Sequence, residues 1–293
     1  MSSIAFIGLG IMGAPMAANL VTAGHTLRGF SRTAATRESA AARGVTPVDS
    51  ARAAVQGAEI VITMLPDTPD VASLVFGDDG IADLLAPGTL FIDMSSIEPA
   101  MAVQLAERLG AAGVDVLDAP VSGGEAGAVE GVLSIMVGGE AAAVERARPV
   151  LDVLGATVVH VGAAGSGQSV KAANQLMVAG HLQMLAEALV LLRAQNVDLE
   201  KALDVLGAGL AGSTVIQRKR AAVLDENYAP GFRLALHNKD LGIVQNAARR
   251  AGVALPATSL VASLVTALVA QGHGDLDHSA LYLLATETNG MTA

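Results

Sequence analysis

The chain contains no cysteine and no tryptophan. Without cysteine there are no disulfides, no zinc–thiolate sites and no thiol nucleophile. Aromatic residues are scarce, two Tyr and five Phe, which disfavours a surface that stacks nucleic-acid bases. Positive charge is also in short supply. Eighteen Lys and Arg face 28 Asp and Glu, a net −10 at pH 7, so a nucleic-acid partner is not expected. No dense His/Asp/Glu cluster suggests a metal, and none is expected. The N-terminus has no basic region, and its apolar run is too short for a signal peptide. The segment 253–270 carries no charge, but it contains Pro256 and only just reaches membrane-spanning length. Its Leu-Val pairs at 260/261, 264/265 and 268/269 recur every four residues, as in a core or subunit-interface helix. A soluble, cytoplasmic protein without a membrane partner is expected.

What is present begins at once. The apolar run Ile4–Ile7 leads into Gly8-Leu9-Gly10-Ile11-Met12-Gly13, followed by the helix-like stretch Ala14–Ala23. This is the Gly-x-Gly-x-x-Gly dinucleotide fingerprint in its context of strand, turn and helix start. Gly8 permits the turn, Gly10 lets a pyrophosphate come close, and Gly13 lets the helix pack on the strand. The helix N-terminus then presents N–H groups and a positive dipole end to phosphate. The alternative is an ordinary glycine turn.

Short β-like runs then alternate with helical segments as far as Val161. Candidate strands are 4–7, 25–30, 59–65, 90–94, 114–118, 134–137 and 158–161. Candidate helices are 14–23, 33–43, 68–76, 99–112 and 140–154. Such alternation predicts an α/β fold, a Rossmann-like doubly wound and mostly parallel sheet. From Gln168 to Gln195 the pattern becomes one long helix, and everything beyond reads as helical. The expected organisation is an NAD(P)-binding domain over residues 1–163 and an all-α domain over 164–293, joined through the long helix.

The second strand closes on Ser31, Arg32 and Thr33. An NAD enzyme usually places an acid there for the ribose hydroxyls. An Arg between two hydroxyl residues suits a 2′-phosphate, so NADP is favoured over NAD. Alternatively, Arg32 is solvated and NAD binds without a carboxylate. The missing acid also weakens a methyltransferase reading.

Three further clusters stand out. Asp118-Ala-Pro-Val-Ser-Gly-Gly124 follows a predicted strand. Ser122, Gly123 and Gly124 there can offer a hydroxyl and N–H groups to an anion, or simply form a tight turn. Gly167-Gln-Ser-Val-Lys-Ala-Ala-Asn174 places Lys171 and Asn174 on one helix face amid apolar neighbours. Taken alone, a helical Lys is most often a surface residue. His237-Asn-Lys-Asp-Leu241 sits at another helix start, where Lys239 can reach a ligand or simply pair with Asp240.

In order and spacing, these pieces resemble the β-hydroxyacid dehydrogenase family across nearly the whole chain. Further segments, among them Ile62-Thr-Met-Leu-Pro66, Ile92-Asp-Met-Ser-Ser96 and Gly231-Phe-Arg233, are similar to the branch that reduces tartronate semialdehyde (2-hydroxy-3-oxopropionate) to glycerate. Members of that branch often carry an acid where Ser31 stands, so their NAD preference does not transfer.

The resemblance implies that Lys171 is catalytic, and the chemistry agrees. Hydride arriving at an aldehyde carbon charges its oxygen, which needs a cation or a proton nearby. A free lysine side chain, with a pKa of about 10.4, supplies both at neutral pH. By the same resemblance Asn174 orients the substrate or Lys171, Ser122, Gly123 and Gly124 hold the substrate carboxylate, and Ser96 lies near the nicotinamide or the substrate. Leu65 and Pro66 line the cofactor groove, and Phe232 and Lys239 reach in from the helical domain. The expected partners are a small hydroxyacid or semialdehyde and further copies of the chain, as a homodimer or homotetramer through the helical domain. Two rivals remain: a dehydrogenase of another small acid (3-hydroxyisobutyrate, succinic semialdehyde or glyoxylate), and a non-catalytic dinucleotide-binding module, which has no need of Lys171 and Asn174.

Overall fold

A computed structural model describes residues 1–291. The chain divides into two compact units, Met1–Lys171 and the remainder from Ala172.

The first unit alternates strands and helices in chain order: β1 (Ser3–Ile7), α1 (Gly13–Thr22), β2 (Thr26–Phe30), α2 (Ala34–Ala41), β3 (Thr46–Pro47), α3 (Ala51–Val55), β4 (Ile60–Thr63), α4 (Thr68–Phe76), β5 (Leu90–Asp93), α5 (Pro99–Gly110) and β6 (Asp115–Asp118). Then come β7 (Val121–Ser122), α6 (Gly124–Glu130), β8 (Ser134–Gly139), α7 (Ala141–Leu154) and β9 (Thr157–Gly162). They form one sheet in the order β3-β2-β1-β4-β5-β6-β8-β7, with β9 beside β8. Strands β1 to β6 pair in parallel, while β8 runs antiparallel to β6 and β7. The doubly wound architecture is therefore present, with a reversal at β8 that periodicity does not announce. Hydrophobic alternation gives no strand direction.

The period of two explains why these strands read as unbroken apolar runs. On β1, Ile4 and Phe6 pack with Met16 and Leu20 on one face. Ala5 and Ile7 pack with Ala54 and Val55 on the other. Strand order turns back between β1 and β4, and the crevice beyond the C-terminal ends of such strands is where doubly wound sheets bind ligands.

The long helix α8 (Ser166–Ala194) crosses from the first unit into the second. It is followed by α9 (Leu199–Ala208), α10 (Thr214–Leu224), α11 (Leu234–Ala251), α12 (Pro256–Leu268) and α13 (Leu281–Thr288). Asp198 and Ser213 cap α9 and α10 by accepting from the N–H groups of Lys201 and Ile216. Helix α8 is the spine of two cores. Ala179 and Leu182 pack with Leu241, Val265 and Leu268, and Leu185 and Leu189 with Leu203, Ile216 and Tyr282. By length and composition α8 is apolar enough to cross a membrane, and 44% of its most apolar window is buried inside the protein.

The helical unit also buries polar groups. His237 and His278 stand with their Nδ1 atoms 3.1 Å apart, and His237 Nε2 lies 3.2 Å from the Gln175 carbonyl. The carbonyl requires Nε2–H on His237, so its Nδ1 must accept from His278. A further proton on this pair would set two donors face to face. Burial, with help from His237 and Lys219, depresses the His278 pKa from 6.5 to about 3, against an opposing pull from Asp277. Acidification is therefore expected to weaken this unit. The unfolded chain takes up the proton near pH 6.5 and the folded one does not. The stability is full above that pH and declines as pH falls toward 3, a loss of about 2 kcal/mol at pH 5. Both tyrosines, Tyr228 and Tyr282, lie in this unit and the chain has no Trp, so intrinsic fluorescence in urea reports it. An unfolding midpoint equal at pH 7 and pH 5 would contradict a neutral buried pair.

Candidate active site

The fingerprint loop joins the end of β1 to α1. Gly8 has φ +102, and a Cβ on it would sit 2.2 Å from the Met64 carbonyl oxygen. A Cβ on Gly13 would fall 1.9 Å from the Gly8 carbonyl oxygen, so helix and turn touch backbone to backbone. Around Gly10 nothing lies within 4 Å of that position, and the loop is open there. Leu9 is buried, whereas Ile11 is exposed beside the opening. Met12 at the N-cap lends no side-chain acceptor to the first N–H groups of α1. The loop is pinned on both sides. Gly8 N–H donates to the Phe30 carbonyl and Met64 N–H to the Ile7 carbonyl, each at 2.9 Å. A bare helix N-terminus behind an open glycine fits a pyrophosphate.

Ser31, Arg32 and Thr33 follow β2 next to this loop. Arg37 holds their backbone, its Nη1 donating to the carbonyls of Ser31 at 2.7 Å and Arg32 at 3.2 Å. Arg32 itself is 81% exposed and lies 3.6 Å from the Asp70 carboxylate. Such an exposed pair is worth little, so the guanidinium is available to a 2′-phosphate. Asp70, on α4, is an acid near this corner that the end of β2 does not reveal.

At the ends of β4 and β5 the Leu65 N–H donates to Ser95 Oγ at 2.9 Å. Ser95 and Thr63 hydroxyls both donate to Asp93 Oδ1 at 2.6 Å. Asp93 Oδ2 is buried and has no hydrogen-bond partner among the described residues. Burial raises the Asp93 pKa to about 6 despite those two hydroxyls. Leu65 and Ser96 are half-buried next to this knot, and Pro66 is exposed.

The Lys171 side chain, 9% exposed, donates from Nζ to the Val121 carbonyl at 2.7 Å. The surface lysine reading of that motif is thereby set aside. Val121 and Ser122 form the short strand β7, so in place of the alternative of a simple tight turn there is a strand edge running into α6 at Gly124. Gly123 has φ +141 and Gly124 φ +66, conformations that favour glycine. Asn174, one turn beyond Lys171 on α8, donates through Nδ2 to Gln175 Oε1 at 2.8 Å.

In the helical unit Phe232 sets its ring edge against His237 and His278, and its N–H donates to Asp277 at 3.0 Å. Lys239 Nζ lies 2.8 Å from Asp240 Oδ1, an ion pair without hydrogen-bond alignment, and Asp240 Oδ2 accepts from Gln175 Nε2. Among the described residues no group of three or more His, Asp or Glu is placed to hold a metal.

Known proteins match this arrangement along its length. The NAD-binding domain model of 6-phosphogluconate dehydrogenase matches residues 3–163. The model for the NAD-binding domain of NADP-dependent 3-hydroxyisobutyrate dehydrogenase matches residues 165–285. The chain is 39% identical to 2-hydroxy-3-oxopropionate reductase of Escherichia coli (strain K12), covering 95% of each chain. The chain belongs to the β-hydroxyacid dehydrogenase family.

This dehydrogenase is also 38% identical to an NAD-dependent L-serine dehydrogenase of Pseudomonas aeruginosa, over 99% of its own length and all of the relative. Its fold matches the Mycobacterium tuberculosis 3-hydroxyisobutyrate dehydrogenase solved with L-serine, with a TM-score of 0.89, 37% identity and 97% of the chain covered. It is an NAD(P)-dependent oxidoreductase of hydroxyacids, as the motifs imply. Sequence reasoning missed Gln168, Asp118 and Asp93 as parts of the site. Asp118 and Gln168 make their contacts with chain far away in sequence, and Asp93 bonds Thr63 thirty residues back as well as the nearby Ser95; the one signal for the two acids was a carboxylate closing an apolar strand at 93 and again at 118.

Proposed function

We infer that this dehydrogenase reduces tartronate semialdehyde to glycerate with NAD(P)H, Lys171 donating the proton. The observation that carries the reading is the buried Lys171 ammonium bonded to the backbone carbonyl next to Ser122. The bound nicotinamide supplies the hydride. Lys171 protonates the aldehyde oxygen as charge develops there, so aldehyde, hydride and one proton give the primary alcohol. Asn174 orients substrate or Lys171. Ser122, with the N–H groups of Gly123 and Gly124, holds the carboxylate, and Ser96 lies beside the reacting groups. Gly8 to Gly13, Leu65 and Pro66 bind the dinucleotide, and the family resemblance adds Phe232 and Lys239. Residues 1–163 serve the cofactor, and 164–293 form the helical domain.

Tartronate semialdehyde, serine and 3-hydroxyisobutyrate share a carboxylate two bonds from the carbon that bears the reacting oxygen. They differ in the group on the carbon between. The E. coli relative supports the hydroxyl-bearing substrate. The P. aeruginosa relative supports L-serine as the second reading. Steady-state kcat/KM for a panel of small semialdehydes and hydroxyacids, with NADH and NADPH, tests both. A kcat/KM for tartronate semialdehyde below that for serine oxidation would overturn the first.

NADPH is expected to be used at least as well as NADH. A guanidinium at Arg32 pairs bidentately with a 2′-phosphate, and Ser31 and Thr33 add hydroxyls. The double substitution Ser31→Asp, Arg32→Ala is expected to shift the ratio of kcat/KM values toward NADH by at least about tenfold, because the carboxylate repels phosphate and accepts from ribose hydroxyls. A wild type that strongly favours NADH, or a ratio unmoved by the change, would place Arg32 outside the cofactor site.

The protein works in the cytoplasm, and copies of the chain pair through the helical domain as a homodimer or homotetramer. Helix α8 exposes Val170, Met177, Met184 and Leu191 at intervals of seven residues, a stripe suited to a second α8. A one-chain mass by light scattering would refute the pairing.

A further inference from the structure

Lysine has a long stem with many rotamers, so something must fix where its base starts. The first turn of α8, within the first unit, carries that load. Asp118 closes β6 and is 3% exposed. Its carboxylate accepts from the backbone N–H groups of Gly165 and Gln168, both at 2.8 Å. A Cβ at Gly138 would stand 2.5 Å from Asp118 Oδ1, and one at Gly167 2.8 Å from Oδ2. Only glycine at both positions lets the carboxylate reach the start of the helix. Its negative charge also suits that end of the helix dipole.

Gln168 uses both ends of its side-chain amide. Nε2 donates to the Ser95 carbonyl at 2.8 Å, and Oε1 accepts from the Ile97 N–H at 3.1 Å. These two residues flank Ser96. Gln168 is 1% exposed, so neither bond is exchanged with water. Lys171 follows three residues later on the same helix face and ends at the Val121 carbonyl, next to Ser122. Asp118 sets the axial position of the helix, and Gln168 sets its rotation against the Ser95–Ile97 loop. These bonds of Asp118 and Gln168 run to the Gly165, Gln168 and Ile97 N–H groups and to the Ser95 carbonyl.

We propose that Asp118 and Gln168 are positioning residues that register Lys171 between the Ser96 and Ser122 segments, and that their effect on turnover passes through Lys171. This rests on the reading of Lys171 as the proton donor. A pair that only stabilised the fold would lower Tm and leave the kcat of the folded enzyme alone.

The test uses the full-length enzyme with NADPH and tartronate semialdehyde, with rates corrected for the fraction that binds NADPH. Gln168→Met keeps the length of the side chain and loses both bonds. A misplacement of about 1 Å costs up to 10²-fold, so its kcat should fall about 10- to 100-fold while the NADPH Kd stays within about twofold. Asp118→Asn, which turns an acceptor into a donor facing an N–H, should behave alike. Gln168→Glu should regain rate relative to wild type as pH falls from 8 to 5.5, because only the protonated carboxyl can donate to the Ser95 carbonyl. Gln168→Met should show no such recovery. If Gln168→Met does not fold, the pH profile of Gln168→Glu decides, and a profile parallel to wild type overturns the proposal.

The decisive step is a double-mutant cycle. On a Lys171→Ala background, Gln168→Met and Asp118→Asn should cost nothing further. The same loss in both backgrounds, or a wild-type kcat for Gln168→Met, would overturn the proposal. A near wild-type rate for Lys171→Ala would instead sink the proton-donor reading itself, whatever Gln168 does.

Discussion

Replacing Lys171 by alanine is expected to lower kcat by on the order of 10²-fold or more while the protein folds and binds NADPH. Lys171 Nζ bonds to the Val121 carbonyl, and the side chain is buried. The substitution thus removes an ammonium beside Ser122 and leaves a carbonyl that water or substrate can satisfy. An interaction made in the transition state is lost from kcat and kcat/KM together, whereas one that only holds substrate raises KM. Steady-state kinetics on the purified variant, with NADPH titrated by its own fluorescence, separates the two. Retained kcat with a raised KM would reduce Lys171 to a carboxylate-binding residue.

The second large effect is at the fingerprint, where two glycines should fail in different ways. At Gly10 an added methyl meets nothing within 4 Å. Gly10→Ala is therefore expected to keep the wild-type Tm within about 2 °C and to raise the NADPH Kd by at least about tenfold, because the methyl occupies the place of the pyrophosphate. At Gly13 the methyl would lie 1.9 Å from the Gly8 carbonyl oxygen and 3.0 Å from the Phe6 ring. Both belong to backbone or core that cannot retreat, so Gly13→Ala should cost about 3 kcal/mol or more and lower Tm markedly. Thermal unfolding and NADPH titration of both variants check this. A Gly10→Ala protein that binds NADPH normally would place the cofactor elsewhere. A Gly13→Ala protein with unchanged Tm would mean that α1 sits farther from the turn.

Much of this was legible before any coordinates. The run Ile4–Ile7, the glycine spacing and the following helix announce β1, the loop and α1 almost to the residue, because each obeys a local rule: a short apolar run bounded by a turn, positive φ or helix periodicity. Helix α4 is read from Thr68 to Phe76 as observed, and the long helix is read to within two residues at either end. The short elements β3, β7, α3 and α6 are absent from the sequence reading. Two to seven residues carry too little period to register, and the strands β3 and β7 exist because neighbouring strands supply their hydrogen bonds.

The candidate site divides along the same line. The amino-acid order by itself determined a dinucleotide loop at residues 8–13, a β2 end without an acid, and a lysine and asparagine one turn apart on a long helix. Those features depend on bond geometry and on residues close in the chain. Only the tertiary structure decided that Lys171 is buried against the Val121 carbonyl, that Asp70 stands beside Arg32, and that Asp93 keeps an oxygen inside the sheet with no hydrogen-bond partner among the described residues. Tertiary structure also decided that Asp118 and Gln168 tie the start of α8 to segments up to 73 residues away in the chain. Desolvation and long-range hydrogen bonds depend on what the folded chain brings alongside a group, and residue order specifies that only once the sheet is assembled.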